Sequence, residues 1–212
     1  MRFRRIPDET IRRLPVYFRA LLFFAEQGSR YISSSSLAEL VGLNSWQIRK
    51  DFSYFGGFGT RGVGYEIAEL LKQIRKILKI RTGQKIALVG VGNLGSAMLA
   101  YPGFQIYGFE IVAAFDNNPK KIGKKVRNVK VEDVAKLGSL KRRRIRLAII
   151  AVPCEAAQNV ADKLVNAGVR GILNFSPCYI TVPPTVKVIT IDIAMDLARL
   201  PYYVPGSVFA EW

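Results

Sequence analysis

The chain has 212 residues, half of them apolar, with 32 lysines and arginines against 16 aspartates and glutamates, a net charge of +16 and no histidine. That length and apolar content suit one large domain or two small ones, each able to bury a core, and exclude intrinsic disorder. Without histidine there is no imidazole base, no Ser/His or Cys/His nucleophile and no imidazole metal ligand, while two cysteines, Cys154 and Cys178, make neither a four-cysteine zinc site nor a disulfide framework.

Hydrolase, protease and zinc-finger chemistries lose their usual residues, and no metal site is expected. The longest apolar runs, Leu147 to Val152 and Ala20 to Ala25, fall far short of the ~20 residues of a membrane span. The basic start, Met1-Arg2-Phe3-Arg4-Arg5, leads into no apolar signal segment, so the expected location is cytoplasmic, with reduced thiols. The positive surplus favours a polyanionic partner, because such a surface attracts phosphates and releases their counterions.

A boundary is expected near Arg81-Thr82-Gly83, where a helical pattern ends on basic residues and a glycine. Two domains follow, residues 1–82 and 83–212. Each carries +8, so the shorter one is the more densely basic.

In the first domain Ile11, Leu14, Phe18, Leu21, Leu22 and Ala25 recur at helical spacing, with Pro15 predicting a kink or a late start. Ser36-Leu37-Ala38-Glu39 reads as a capping box opening a short second helix. Gly42-Leu43-Asn44 is a tight turn, and Asn44 caps a third helix with Gln47 as its reciprocal partner. There Ile48, Phe52 and Phe55 point inward, which leaves Gln47, Arg49, Lys50 and Tyr54 outside. Helix, turn, helix with these side chains fits the major groove, where arginine bonds guanine and glutamine bonds adenine. The same pattern also occurs in plain bundles with a solvated helix face.

Phe55 to Tyr65 holds five glycines in eleven residues around Arg61. It is expected to be a hairpin wing with Arg61 probing the minor groove, the other reading being a flexible linker. Ile67, Leu70, Leu71, Ile74, Ile77 and Leu78 then close the domain as an amphipathic helix.

From Lys85 the pattern becomes short apolar runs, Ile86 to Val89, Ile111 to Phe115, Leu147 to Val152 and Gly171 to Phe175, alternating with helical stretches, as in a parallel sheet. Between the first run and a helix stands Gly90-Val91-Gly92-Asn93-Leu94-Gly95. Its glycines suit a turn, close approach to a pyrophosphate and tight packing of helix on strand, with the helix N-terminus facing the phosphates. Asp116 ends the next strand at the position of a ribose-binding acid, where a carboxylate accepts the adenosine ribose hydroxyls and repels a 2′-phosphate. NAD(H) is therefore favoured, although Lys120 and Lys121 stand close in sequence.

Two more loops lie at strand C-terminal ends, one with Val152, Pro153 and Cys154, the other with Asn174, Phe175 and Cys178. They are candidates for the nicotinamide end. An apolar floor beside a helix N-terminus in a basic protein favours the neutral reduced ring over the cationic oxidised one. The two cysteines read as small packing residues rather than a thiol switch, and the basic run Lys141 to Arg146 as a solvated edge.

These segments together closely resemble the Rex family of redox-sensing transcriptional repressors. The matching strings are Ile6-Pro7, Arg13-Leu14-Pro15-Val16-Tyr17, Arg49-Lys50-Asp51-Phe52-Ser53-Tyr54-Phe55-Gly56, Arg61-Gly62-Val63-Gly64-Tyr65, Val89 to Gly95, Ile150-Ala151-Val152-Pro153 and Gly171-Ile172-Leu173-Asn174-Phe175. Phe52 stands where family members usually have leucine, and Cys154 where a small residue such as alanine is usual.

The resemblance implies an α/β protein: a winged helix-turn-helix domain plus a Rossmann-like parallel-sheet domain, with a C-terminal helix, about Asp192 to Leu200, swapped between the protomers of a homodimer. It implies a repressor on double-stranded, inverted-repeat operator DNA that lets go when NADH accumulates, with NAD+ competing for the same site, and no enzyme activity. DNA contacts map onto Arg13, Arg49, Lys50 and Arg61, and cofactor contacts onto Gly90 to Gly95, Tyr101 and Asp116. Closure around the reduced ring would move two recognition helices off the ~34 Å spacing of successive major grooves. We hypothesise that Arg19 and Asp192 form an ion pair in one state only, the ordinary alternative being a weak surface pair. The rival readings are an NAD-dependent oxidoreductase, disfavoured by the missing histidine and the short second half, and a CoA-binding regulator, disfavoured by Asp116.

Overall fold

A computed structural model describes residues 6–57, 59–60 and 62–204. The chain divides into two compact units, Met1–Arg81 and Thr82–Trp212.

The first unit runs α1 (Asp8–Glu26), β1 (Tyr31–Ile32), α2 (Ser34–Val41), α3 (Ser45–Ser53), β2 (Tyr65–Glu66) and α4 (Ile67–Ile77). Pro15 lies inside α1, which continues through it. The buried face of α1 is Thr10, Leu14, Tyr17, Phe18, Ala20 and Leu21, so it is turned relative to the apolar stripe, and Ala25 is exposed. Leu37, Ile48, Phe52, Ile67, Leu70 and Ile74 complete the core.

Asn44 caps α3, its Oδ1 accepting from the Gln47 amide at 2.8 Å. The cap of α2 is Ser33, whose Oγ accepts from the Ser36 amide at 2.9 Å. Ser36 is therefore inside the helix, because Ser33 has the same chemistry one turn earlier and captures that amide first. Between α3 and β2, Thr60 and Gly64 form an antiparallel bridge with two backbone hydrogen bonds of 3.0 Å, and β2 pairs with β1. The winged helix-turn-helix arrangement is complete.

The second unit runs β3 (Gln84–Val89), α5 (Asn93–Ala100), α6 (Gly103–Ile106), β4 (Phe109–Asp116), β5 (Lys125–Val126), β6 (Val129–Asp133), a 3-10 turn (Val134–Gly138), α7 (Ser139–Arg142), β7 (Leu147–Ile150), α8 (Cys154–Asn166), β8 (Gly171–Asn174), β9 (Lys187–Thr190), α9 (Ile193–Leu197) and α10 (Leu200–Tyr203). The sheet order is β5-β6-β4-β3-β7-β8-β9, parallel apart from the edge strand β5.

Its six parallel strands follow the Rossmann order, with the direction of winding reversing between β3 and β7, where such sheets bind ligands. The apolar runs follow from coverage of both faces. Ala87 and Val89 pack with α8 residues Val160, Ala161 and Leu164, whereas Ile86 and Leu88 pack with Met98 and Phe104.

In place of the single helix expected over about 192–200, α9 ends at Leu197 and, after a turn at Ala198 and Arg199, α10 starts at Leu200, with Asp192 capping α9. Nor is the basic run a simple solvated edge. Arg143 bonds Glu132 (2.7 Å) and the Val112 carbonyl (2.9 Å), and Arg146 bonds the Gly168 carbonyl (2.8 Å).

Candidate DNA and dinucleotide sites

The recognition surface is anchored by a residue whose role the sequence did not signal. Asp51, on the inner face of α3, is fully buried. Its Oδ2 accepts from Arg13 Nε (2.6 Å) and the Tyr17 hydroxyl (2.6 Å). Its Oδ1 accepts from Arg13 Nη2 (2.9 Å), Gln47 Nε2 (2.9 Å) and the Thr10 hydroxyl (3.0 Å). Burial opposes the charge on Asp51, but Arg13, Tyr17, Gln47 and Thr10 outweigh it and hold the carboxyl below its ordinary range. The bond to Asp51 raises the Arg13 guanidinium. Burial, then Asp51, push the Tyr17 phenol up.

Of the expected DNA-contacting residues, Arg13 and Gln47 therefore spend side-chain donors inside the domain, Arg13 joining α1 to α3 and Gln47 bonding Asp51 within α3. Arg49 and Lys50 are exposed and Tyr54 half-buried at the α3 C-cap. Arg49 Nη1 donates to Ser34 Oγ at 2.9 Å, and Lys50 Nζ lies 4.7 Å from the centre of the Trp46 ring. Trp46, absent from the sequence-based set, is 57% exposed in the first turn of α3. The signal available in the sequence was its position two residues before Ile48, off the apolar Ile48, Phe52 and Phe55 face. A groove of about 590 Å³, lined by Ser34, Arg49, Phe52, Gly57, Thr60 and Tyr65 among others, runs between α3 and the Thr60–Gly64 bridge. Arg61 lies outside the described residues.

In the second unit, Gly90 has a φ of +94°, and a Cβ there would collide with the Ala151 carbonyl. A Cβ on Gly95 would collide with the Gly90 carbonyl. Around Gly92, by contrast, a Cβ would meet nothing within 4 Å. Two of the three glycines thus serve close packing, while the third opens onto free space at the start of α5, where Asn93 and Leu94 are exposed and Val91 is buried. That opening suits a pyrophosphate.

Asp116 ties this loop to its neighbour. Oδ2 accepts from the Val91 amide (2.8 Å) and Lys121 Nζ (3.3 Å), and Oδ1 from the Asn118 amide (2.8 Å). Burial opposes its charge, but the Asn118 and Val91 amides and Lys121 keep the carboxyl below its ordinary range. One lone-pair direction is left for a further donor.

The two other loops meet this one. Ala151 N bonds the Val89 carbonyl (2.8 Å), Phe175 N the Ile150 carbonyl (2.9 Å), and Ser176 Oγ the Val152 carbonyl (2.6 Å). Val152 and Phe175 are half-buried and Pro153 is exposed at the cap of α8. Asn174 is buried, and its amide holds its own loop, donating to the Ser176 and Cys178 carbonyls and accepting from Ser176 N. Tyr101, 61% exposed, caps the opposite end of α5, about 12 Å of helix from the glycine loop. Arg19 is exposed on α1, and Asp192 Oδ1 accepts from the Ala194 amide at 3.0 Å.

No helix among the described residues is long and apolar enough to cross a membrane, and no cluster of metal-ligating side chains occurs among them.

Two family models match: "Putative DNA-binding protein N-terminus" over residues 5–53 and "CoA binding domain" over residues 82–178. A redox-sensing transcriptional repressor Rex of Carboxydothermus hydrogenoformans is 47% identical over 199 residues, covering 93% of this chain and 96% of its own. Among solved structures, RSP in complex with β-NAD+ and operator DNA has a TM-score of 0.88 at 36% identity, covering 96% of this chain and 94% of that one. RSP in complex with β-NADH has a TM-score of 0.87 at 34% identity, covering 97% of each. RSP is described as a Rex-family repressor. With a winged helix followed by a Rossmann-ordered sheet, and with this similarity along nearly its whole length, the chain belongs to the Rex family of redox-sensing transcriptional repressors.

Proposed function

We propose that the chain, as a homodimer, represses transcription from inverted-repeat operators and releases them when NADH binds the second unit, NAD+ competing for the same site and favouring the DNA-bound form. The observation that carries this reading is the opening at Gly92 between two glycines that admit no side chain, tied through Val91 to Asp116. Gly90, Val91, Gly92, Asn93, Leu94 and Gly95 hold the pyrophosphate, and Asp116 takes a ribose hydroxyl on its remaining lone pair. Val152, Pro153 and Phe175 face the nicotinamide end, Asn174 shapes that loop from within, and Tyr101 closes on the ligand from the far end of α5. When bound, NADH supplies only a neutral ring where NAD+ brings a cation; no hydride is transferred.

DNA is held by Arg49, Lys50, Tyr54 and Arg61, with Arg13 and Gln47 fixing α3 through Asp51 and offering their remaining donors to the duplex. NADH releases DNA only if it binds the released arrangement more tightly, and a shift from 1:99 to 99:1 takes about 5.5 kcal/mol of differential affinity. Arg19 and Asp192 pair in one of the two arrangements; an Arg19→Ala protein with an unchanged NADH response removes them from the switch. A cytoplasmic protein of this kind meets both ligands.

Gel shifts with genomic fragments, at several NADH to NAD+ ratios and one stated salt concentration, test the reading. Retained fragments are expected to be released as the ratio rises. The "CoA binding domain" match favours CoA as the second reading. Fluorescence titration with NADH, NAD+ and CoA separates the two, and NADH that is bound but never consumed separates both from an oxidoreductase.

A further inference from the structure

The cysteines do not sit as core packing residues: Cys154 is exposed and Cys178 half-buried. The sheet brings them together. Ile150 and Asn174 are partners on the adjacent parallel strands β7 and β8, and each cysteine stands four residues beyond its partnered position. Two residues beyond it, Ser176 Oγ clamps the Val152 carbonyl at 2.6 Å, and buried Asn174 holds the Ser176 and Cys178 carbonyls. Beyond the cysteines Gln158 donates to the Thr181 carbonyl and accepts from the Thr181 amide, both at 2.9 Å, so the two segments are fixed to one another on both sides of the sulfur atoms. The Cys178 thiol donates to the Cys154 carbonyl at 3.7 Å, which places it against the residue that carries the other thiol.

From this juxtaposition we infer that Cys154 and Cys178 are a hydroperoxide-oxidisable pair that closes to a disulfide within one chain. Cys154, the exposed member, attacks an oxygen of a hydroperoxide; the O–O bond breaks, an alcohol or water leaves, and Cys154 becomes a sulfenic acid. Cys178 then attacks the Cys154 sulfur, the S–O bond breaks and water leaves. Two thiols and one hydroperoxide give one disulfide, one alcohol (or water) and one water. The assignment of attacker and resolver follows exposure. It agrees with the neighbouring Cys154 side chain and partial burial, which push the Cys178 thiol up to about 11.

The inference goes beyond the proposed NADH response and does not depend on it: a chain that binds no NADH can still form this bond. Because the loops also carry Val152, Pro153, Asn174 and Phe175, the bridge would set a second redox input beside the first.

The test treats the reduced full-length protein with one equivalent of hydrogen peroxide and follows free thiols, intact mass and peptide maps, in parallel with Cys154→Ser and Cys178→Ser. Expected are loss of both thiols, a mass lower by about 2 Da, a peptide joining Cys154 to Cys178 and reversal by dithiothreitol. Cys178→Ser is expected to stop at a Cys154 sulfenic acid trapped by dimedone, and Cys154→Ser to give no adduct at the same dose. Disulfides only between chains, independent over-oxidation of the two sulfurs, or thiols that survive the peroxide would overturn the inference.

Discussion

Asp51 shows how one side chain organises the recognition surface. Removing one partner of a buried ion pair costs about 3–5 kcal/mol, because the other charge is left without compensation. Arg13→Ala is expected to destabilise the first unit by about that amount, in urea unfolding followed by Trp46 fluorescence in a Trp212→Phe background. The folded-state carboxyl is held below its ordinary range, so its contribution is full above the unfolded pKa and is lost as pH falls through the folded one. Acid unfolding of the first unit should therefore begin below about pH 4, and Asp51→Asn should flatten that dependence while lowering stability at neutral pH. None of this was legible in the sequence. Thr10, Arg13 and Tyr17 lie 41, 38 and 34 residues from Asp51, and no local pattern reports a contact made at that range. The cap on α3 was legible, because Asn44 and the Gln47 amide it accepts from are three residues apart. Even there the Gln47 side chain turned to Asp51 instead of reaching back.

At the scale of elements, the strands read in advance were those buried on both faces. The ones missed are short or polar: β5 has two residues, β6 carries Lys130, Glu132 and Asp133, and the edge strand β9 is mostly exposed. The phosphate turn was legible because its glycines stand between a strand and a helix, but only the structure separates their tasks. Gly95→Ala is expected to cost about 1–3 kcal/mol as α5 is forced off the Gly90 carbonyl, seen as a lower melting temperature. Gly92→Ala should leave the melting temperature almost unchanged and weaken NADH binding at least tenfold, about 1.4 kcal/mol. Equal effects of the two on folding would remove the distinction. On α3, Lys50 is exposed beside Trp46. If it meets a phosphate, Lys50→Ala should weaken binding to all duplexes alike and reduce the slope of log affinity against log salt by about 1. An unchanged slope would assign Lys50 to the Trp46 ring alone.

The whole molecule joins a basic winged helix to a Rossmann-ordered sheet, each half carrying +8. The sequence displayed both because each is marked by a local string, and the resemblance extends along both. The coupling between them is a difference of affinities, and no single residue pattern encodes that. The most direct test titrates a labelled duplex, chosen from the genomic fragments the protein retains, at fixed salt and rising NADH. The apparent Kd for DNA should climb with NADH, and the Kd for NADH should climb by the same factor when DNA is present. A protein that holds both ligands at once, each with undiminished affinity, would contradict the account.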